Sequence, residues 1–221
     1  MTEQALLAGF EPYGGRSVNP SARLASSLDG ERVGDLVVAG RVLPVALAGL
    51  GRRVEELLDE TRPALVIALG LWPGEAMIRL ERYAMNLADF AIPDNRDARH
   101  EDMPLSRDGA VALAANLPLR AIEHDLLAAG IPAQLSTTAG TYLCNATLYH
   151  FLAALARPGA AIPCGFIHLS YLPEQVAEMM REARAGRLDM RHRADIASMD
   201  YAVMERAVRI ALTTSAALRT A

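Results

Sequence analysis

The sequence contains no lysine, few aromatic residues and only two cysteines, and each shortage excludes a class of protein. All 22 basic residues are arginine, which excludes chemistry that depends on a lysine amine, such as Schiff-base formation. Aromatic residues make up 5% of the chain and hydrophobic residues 52%, so the core must be mainly aliphatic. Two cysteines among 221 residues are too few for a disulfide framework, and we expect reduced thiols.

Long apolar runs and excess positive charge are also missing. No run approaches the roughly 20 apolar residues that span a bilayer, and the N-terminus has no basic stretch before an apolar segment. The formal net charge is −4, whereas phosphate binding needs a concentrated basic surface. We therefore predict a cytoplasmic protein with neither a membrane nor a nucleic acid as its partner.

Short apolar runs alternate with longer stretches of helical period, as in an α/β fold whose sheet is covered by helices on both faces. Residues 77–91 are predicted to be extended, 93–109 to form a charged surface loop and 187–193 an arginine-rich, solvated loop. Since no linker divides the chain, we predict one domain over residues 1–221. The predicted strands are 5–10, 35–45, 64–69, 133–138 and 162–169, and the predicted helices are 47–62, 119–129, 142–155, 173–184 and 198–218, with a further helix that begins at Asn19-Pro20.

One predicted strand–helix–strand segment carries a cysteine at the start of its helix and a histidine at the end of its second strand. Cys144 lies in the first turn of the helix predicted at 142–155, and His168 lies at the end of the strand predicted at 162–169. If that strand is parallel to the one at 133–138, both side chains lie at the same edge of the sheet. Ligands of open α/β sheets bind at that edge.

This placement allows two interpretations of Cys144. Backbone N–H groups at a helix start stabilise negative charge, and a nearby imidazolium adds to the effect, so the sulfur is predicted to be a thiolate nucleophile. Its histidine would then protonate a leaving amine. The alternative is a small buried hydrophobe, which is what most free cysteines are. A carboxylate that orients the histidine cannot be selected among the 26 acidic residues on physical grounds alone.

Two other features carry less chemistry. The glycines at 9–15 lack the spacing of a dinucleotide-binding loop, and Pro12 removes a backbone donor there. That loop either carries Phe10 and Tyr13 towards the same sheet edge or holds two ordinary core aromatics. The histidines form no cluster with metal-ligand spacing, so we predict no metal site.

Four motifs follow one another along the chain. They are GFEPYGG at 9–15 with NPS at 19–21, ERYAMN at 81–86 with IPDN at 92–95, TAGTYLCN at 138–145, and GFIHLSYLPEQ at 165–175. Together and in this order, they resemble the pyroglutamyl peptidase I family, also called pyrrolidone-carboxylate peptidases.

The resemblance implies a cysteine peptidase that removes N-terminal pyroglutamate from peptides through a thioester and needs neither metal nor organic cofactor. It also implies a single α/β/α sandwich with a mixed, largely parallel central sheet, and a homo-oligomer, either dimer or tetramer. The family's triad falls on Glu81, Cys144 and His168. Its substrate-binding positions fall on Phe10, Tyr13, Asn19, Val45, Leu71, Ile92, Tyr142 and Leu143.

The chain departs from the family's usual residues near the substrate. Leu71 stands where glutamine is usual, Ala91 where arginine is usual and Ser170 where proline is usual. Two alternatives therefore accompany the peptidase hypothesis. One is a cysteine hydrolase of the same fold with a different acyl specificity, and the other is a non-catalytic homologue that binds peptide N-termini.

Overall fold

A computed structural model describes residues 3–156, 162–188 and 196–219. Most of the arginine-rich stretch predicted as a loop at 187–193 lies outside these residues. The strands are β1 Gln4–Phe10, β2 Arg32–Val33, β3 Leu36–Leu43, β4 Leu65–Leu71, β5 Ile78–Glu81, β6 Tyr83–Met85, β7 Ala112–Ala114, β8 Ala133–Ser136 and β9 Cys164–Leu169. The helices are α1 Pro20–Ser27, α2 Leu50–Thr61, α3 Leu119–Ala128, α4 Leu143–Leu155, α5 Pro173–Arg184 and α6 Tyr201–Leu218.

Seven of these strands form one sheet in the order β2-β3-β1-β4-β9-β5-β8. β3, β1, β4 and β9 are mutually parallel, and β5 runs antiparallel to β9. The predicted α/β sandwich with a mixed, largely parallel sheet is therefore confirmed. β6 and β7 form a separate antiparallel pair.

The sheet carries a core on each face because successive strand residues point to opposite sides. Along β1, Ala5 and Leu7 join one core, whereas Leu6 and Ala8 join the other. Helices α1, α3 and α6 cover the first core, and α2 and α4 cover the second. β4 is buried along its whole length, as expected for a central parallel strand with helices on both sides.

Local sequence explains where α1 begins. The side chain of Asn19 accepts a hydrogen bond from the backbone N–H of Ser21 at 3.1 Å, and Pro20 occupies the first helical position. This start places Asn19 directly after the loop that follows β1, and the predicted helix start is confirmed.

The assumption that the strands flanking α4 are parallel is wrong. β5 lies between β8 and β9, parallel to the former and antiparallel to the latter. The carboxyl ends of β8 and β9 therefore lie at opposite edges of the sheet. An alternation of strands and helices along the chain does not reveal that a strand from elsewhere has been inserted between two of them.

The connection from β8 to α4 compensates for this reversal. The carbonyl of Thr138 accepts a hydrogen bond from Arg79 Nη2 at 3.3 Å, and Gly140, at φ +78°, lies against the ring of Trp72. Since Trp72 follows β4, residues 137–142 run back to the carboxyl ends of β4 and β9. α4 consequently begins at the predicted edge of the sheet although β8 points away from it.

Candidate active site

A mostly apolar cavity of about 290 Å³ opens where β4 and β9 end and α4 begins. Cys144 and His168 both line it, and so do all eight residues predicted to bind substrate. The remaining lining residues are Trp72, Pro73, Asp89, Ala91, Ala139, Gly140 and Thr141.

The sulfur of Cys144 lies over Gly70, near the end of β4. A Cβ added to Gly70 would lie 2.7 Å from Cys144 Sγ and 2.7 Å from the ring of Phe166. Gly70 is in turn the register partner of His168 on β9. The absence of a side chain at Gly70 therefore leaves room for the sulfur beside the strand that carries the histidine.

The histidine is held from behind by a carboxylate. Nδ1 of His168 lies 2.8 Å from Oε1 of Glu81, and the two side chains are 1% and 0% exposed. An ionised carboxylate only accepts hydrogen bonds, so Nδ1 carries the proton and Nε2 is the nitrogen left for the cavity. The structure thus brings together the three residues predicted as a triad, with Glu81 behind the cavity wall.

Burial has the largest effect on the pKa of the Cys144 thiol. It raises the pKa of the Cys144 thiol to about 12; the charge of Glu81 adds to this rise and the residue's own backbone N–H opposes it. Burial likewise lowers the pKa of His168, although Glu81 acts in the opposite direction. Burial therefore opposes the thiolate that the helix start was expected to favour, and the ionisation of Cys144 stays a prediction to be measured.

The sulfur is nevertheless accessible. Cys144 is partly exposed, whereas Cys164, in β9, is buried. Among the described residues, no hydrogen bond joins Cys144 Sγ to the imidazole. Burial thus favours the neutral forms of the thiol and of the imidazole, and a neutral imidazole is the form that accepts a proton.

Two polar side chains that sequence reasoning did not single out, Glu11 and Asn95, connect the loops around the cavity. Oε1 of Glu11 accepts hydrogen bonds from Val45 N–H at 2.9 Å and from Asn95 Nδ2 at 2.8 Å. Asn19 Nδ2 donates to the Glu11 carbonyl at 3.0 Å. The available signal was that Glu11 and Asn95 both belong to the family motifs.

The aromatic wall of the cavity is also fixed by hydrogen bonding. The hydroxyl of Tyr142 donates to the carbonyl of Pro93 at 3.1 Å, and its ring packs against Phe90. Burial raises the pKa of Tyr142 to about 12, and the charge of Asp94 adds to the rise. Tyr142 therefore stays protonated, and its hydroxyl remains a donor.

A second group that sequence reasoning missed lies behind the histidine. The ring centroids of Trp72 and His168 lie 4.9 Å apart in a T-shaped arrangement. The guanidinium carbon of Arg79 lies 4.0 Å from the centroid of the Trp72 ring. Arg79 Nε is also 3.2 Å from Oε1 of Glu81. The available signal was the spacing of Arg79 and Glu81, since residues two apart share one face of a strand.

The three departures from the family's usual residues lie around this site. Leu71 is buried and, like Ala91, lines the cavity. Ser170 is buried, and its hydroxyl donates to the carbonyl of Glu75. The first two therefore change the surface that faces a ligand, whereas Ser170 contacts the loop after β4.

The described residues offer neither a cluster of metal ligands nor a membrane-spanning helix. No group of three or more histidine, cysteine, aspartate or glutamate side chains is arranged there to hold a metal ion. Within the same ranges, no helix is both long and apolar enough to cross a bilayer.

A sulfur at a helix start, an imidazole from the neighbouring sheet and a buried carboxylate behind it form the arrangement of a cysteine peptidase on an α/β sandwich. Comparison with known proteins identifies the family within the class of cysteine peptidases. A profile of the pyroglutamyl peptidase family matches residues 3–217, and the chain belongs to that family.

Individual relatives agree with this assignment. The chain is similar to the pyrrolidone-carboxylate peptidase of Cupriavidus taiwanensis, with 46% identity over 78% of this chain and 80% of the relative. With that of Pyrococcus furiosus it shares 42% identity over 79% of this chain and 84% of the relative. The solved structure of the pyrrolidone carboxyl peptidase from Thermococcus litoralis superposes with a TM-score of 0.89 at 35% identity, covering 97% of this chain and 94% of that chain.

Proposed function

We propose that this protein is a cysteine peptidase that removes N-terminal pyroglutamate from peptides, with Cys144 as nucleophile, His168 as proton carrier and Glu81 as the group that orients the imidazole. The observation that carries the proposal is that Cys144 and His168 line one small, mostly apolar cavity, with Glu81 bonded behind the imidazole. The names of the relatives support the choice of substrate.

The neutral thiol and imidazole favour a general-base mechanism. As Cys144 Sγ attacks the pyroglutamyl carbonyl carbon, its proton passes to Nε2 of His168, and the carbonyl oxygen becomes an oxyanion. The C–N bond then breaks while the imidazolium returns the proton to the departing amine, which leaves a thioester. Water attacks this thioester with His168 again as base, releasing pyroglutamate and restoring the thiol.

Each of the other groups has one part in this scheme. Glu81 keeps the proton on Nδ1 and stabilises the imidazolium as it forms. The backbone N–H of Cys144, at the start of α4, is the proposed donor to the oxyanion. The metal-free chemistry needs no cofactor, because sulfur and imidazole supply both the nucleophile and the proton transfer.

The cavity suits a pyroglutamyl ring in size and polarity. The ring is compact and uncharged, and a mostly apolar slot accepts it while excluding a charged amino terminus, since burying an unpaired ammonium is costly. The residues proposed to line the slot are those predicted from the family positions: Phe10, Tyr13, Asn19, Val45, Leu71, Ile92, Tyr142 and Leu143.

Hydrolysis of a fluorogenic pyroglutamyl amide tests the proposal. Replacing the nucleophile, Cys144→Ala, should lower kcat by at least ~10³-fold while the fold, followed by circular dichroism, is unchanged. Cys164→Ala is the matched control, because that cysteine is buried away from the cavity, and it should stay active. No hydrolysis by the wild type, or equal hydrolysis by Cys144→Ala, would contradict the proposal.

The proposal also covers the domain organisation, the cellular location and the oligomeric state of the enzyme. We infer one catalytic domain over residues 1–221, a cytoplasmic location and a homo-oligomer, supported by the family resemblance and by two free cysteines. Light scattering of the purified protein tests the oligomer, and fractionation of the source cells tests the location. A monomeric mass or recovery outside the cytoplasm would reject the respective inference.

A further inference from the structure

All three guanidinium nitrogens of Arg79, on β5, have hydrogen-bond partners. Nη1 lies 3.3 Å from Oε2 of Glu75, and Nη2 donates to Ser136 Oγ at 2.7 Å. Its Nε lies 3.2 Å from Glu81, while one face of the guanidinium rests on Trp72. With only 14% of the side chain exposed, Arg79 is fixed in one orientation between the triad carboxylate and the cavity wall.

The buried charge of Glu81 gives this arrangement its significance. Oε1 of Glu81 accepts hydrogen bonds from both His168 and Arg79, whereas Oε2 is buried without a partner among the described residues. A neutral imidazole provides a hydrogen bond but no positive charge. Within the described ranges, Arg79 is the one arginine paired with Glu81, so it supplies the charge that a buried carboxylate requires.

We propose that Arg79 is a positioning residue: as counter-cation of Glu81, it holds the carboxylate on Nδ1 of His168 and leaves the imidazole free to accept the thiol proton. This inference rests on the proposed function for its catalytic consequence, but its electrostatic part does not. The guanidinium lies over the Trp72 ring, and the same ring packs against the imidazole in a T-shaped arrangement, so one ring contacts both groups.

The charged groups around His168 agree with this role. Burial is the main reason that its pKa is lowered, and the charge of Arg79 lowers it further; Glu81 and Glu75 act in the opposite direction. The thiol of Cys144 is the titratable group that faces the imidazole from α4. Glu75, in the loop between β4 and β5, also accepts a hydrogen bond from Gln134 Nε2 on β8 at 3.2 Å.

Without Arg79, His168 is the remaining group paired with the buried carboxylate that can take up a positive charge, and a proton there would inactivate the base. Arg79→Met should therefore lower kcat by about ten-fold, a part of the 10²–10⁴-fold that general acid–base catalysis contributes, with KM nearly unchanged. The acidic limb of its pH profile should move to higher pH. Arg79→Lys retains the charge but not the planar contacts. It should therefore recover part of kcat and reverse part of the shift of the acidic limb.

Two variants separate an electrostatic role from a structural one. Glu75→Gln removes a carboxylate that raises the pKa of His168, so it should move the acidic limb to lower pH, opposite to Arg79→Met. Arg53→Met is the matched control, since Arg53 also pairs with two carboxylates, Glu56 and Glu60, but lies on α2. Its profile should match that of the wild type.

Titration of His168 by NMR makes the inference independent of turnover, with the resonance assigned by its loss in His168→Gln. The midpoint should be higher in Arg79→Met than in the wild type, and if that variant does not fold, the same comparison is made with Arg79→Lys, which should show a smaller rise. An unchanged midpoint overturns the inference even when the wild type is active. A wild type without hydrolysis overturns the proposed function, while the titration still decides the role of Arg79.

Discussion

The sulfur of Cys144 occupies the space that a side chain at Gly70 would fill, at 2.7 Å from the position of the missing Cβ. The two residues come from different elements, β4 and α4, and the contact depends on the connection from β8 that returns to the carboxyl end of β4. Because Gly70 is also the register partner of His168, one methyl group at this position would separate nucleophile and base.

We therefore expect Gly70→Ala to lower kcat/KM by at least about 100-fold. The added methyl would overlap Cys144 Sγ and Phe166, and overpacking of this kind typically costs about 1–3 kcal/mol of stability. Steady-state kinetics and thermal unfolding measure both effects. Gly51→Ala, in α2, is the control: the atoms nearest to its added Cβ belong to the side chain of His150, at 3.2 Å, and it should retain activity. An active Gly70→Ala would show that the sulfur works from elsewhere.

The ionisation of Cys144 can be measured by alkylation. With a thiol pKa of about 12, the rate of reaction with iodoacetamide in the Cys164→Ala background should keep rising across the alkaline range. A plateau already present below pH 7 would instead show a preformed thiolate–imidazolium pair. This experiment distinguishes the burial effect in the structure from the helix-start effect expected from sequence.

The pH profile of hydrolysis gives the complementary measurement. Neutral His168 is the proton acceptor, so activity should rise with pH as the imidazole loses its proton. Because the pKa of His168 is lowered, the acidic limb of kcat/KM should lie below the ordinary histidine value of 6.5. An acidic limb above that value would indicate that the imidazolium is stabilised more strongly than burial allows.

Sequence reasoning predicted the helices and five of the strands because their signals are local, whereas the short strands β2 and β7 were not predicted. The fully buried β4 and the cap at Asn19 depend on neighbouring residues only. The position of β5 between β8 and β9 depends on pairing across long stretches of chain, which no local pattern encodes. The cysteine and histidine were correctly placed together, but for a topological reason that proved wrong.

The limits of sequence reasoning in the site have the same origin. Glu81 was selected by family resemblance, because nothing local distinguishes it from other acidic residues. Arg79 and Trp72 gain their significance only from packing against Glu81 and His168. The ionisation of Cys144 depends on how much solvent the folded chain removes, and the one-dimensional pattern does not contain that quantity.

Asn145 provides a prediction about stability. Its buried amide accepts a hydrogen bond from Met85 N–H at 2.7 Å and donates to the carbonyls of Met85 and Leu87, both at 2.9 Å. Asn145→Ala would leave three backbone groups unpaired, and each buried unpaired group typically costs about 1–3 kcal/mol. We expect a loss of at least about 2 kcal/mol in the free energy of unfolding, measured with urea, whereas an unchanged midpoint would show that water replaces the amide.

Discrimination between pyroglutamyl and prolyl amides tests the slot itself. The two rings have nearly the same shape, but the prolyl nitrogen is protonated at neutral pH, whereas the lactam nitrogen is uncharged. Of the described lining residues, Asp89 is the one acidic side chain, and it is exposed to solvent. Burying the prolyl ammonium without a partner should therefore reduce kcat/KM by at least ~10³-fold. Comparable rates for the two amides would mean that the slot does not enclose the ring, and would favour a cysteine hydrolase of different acyl specificity.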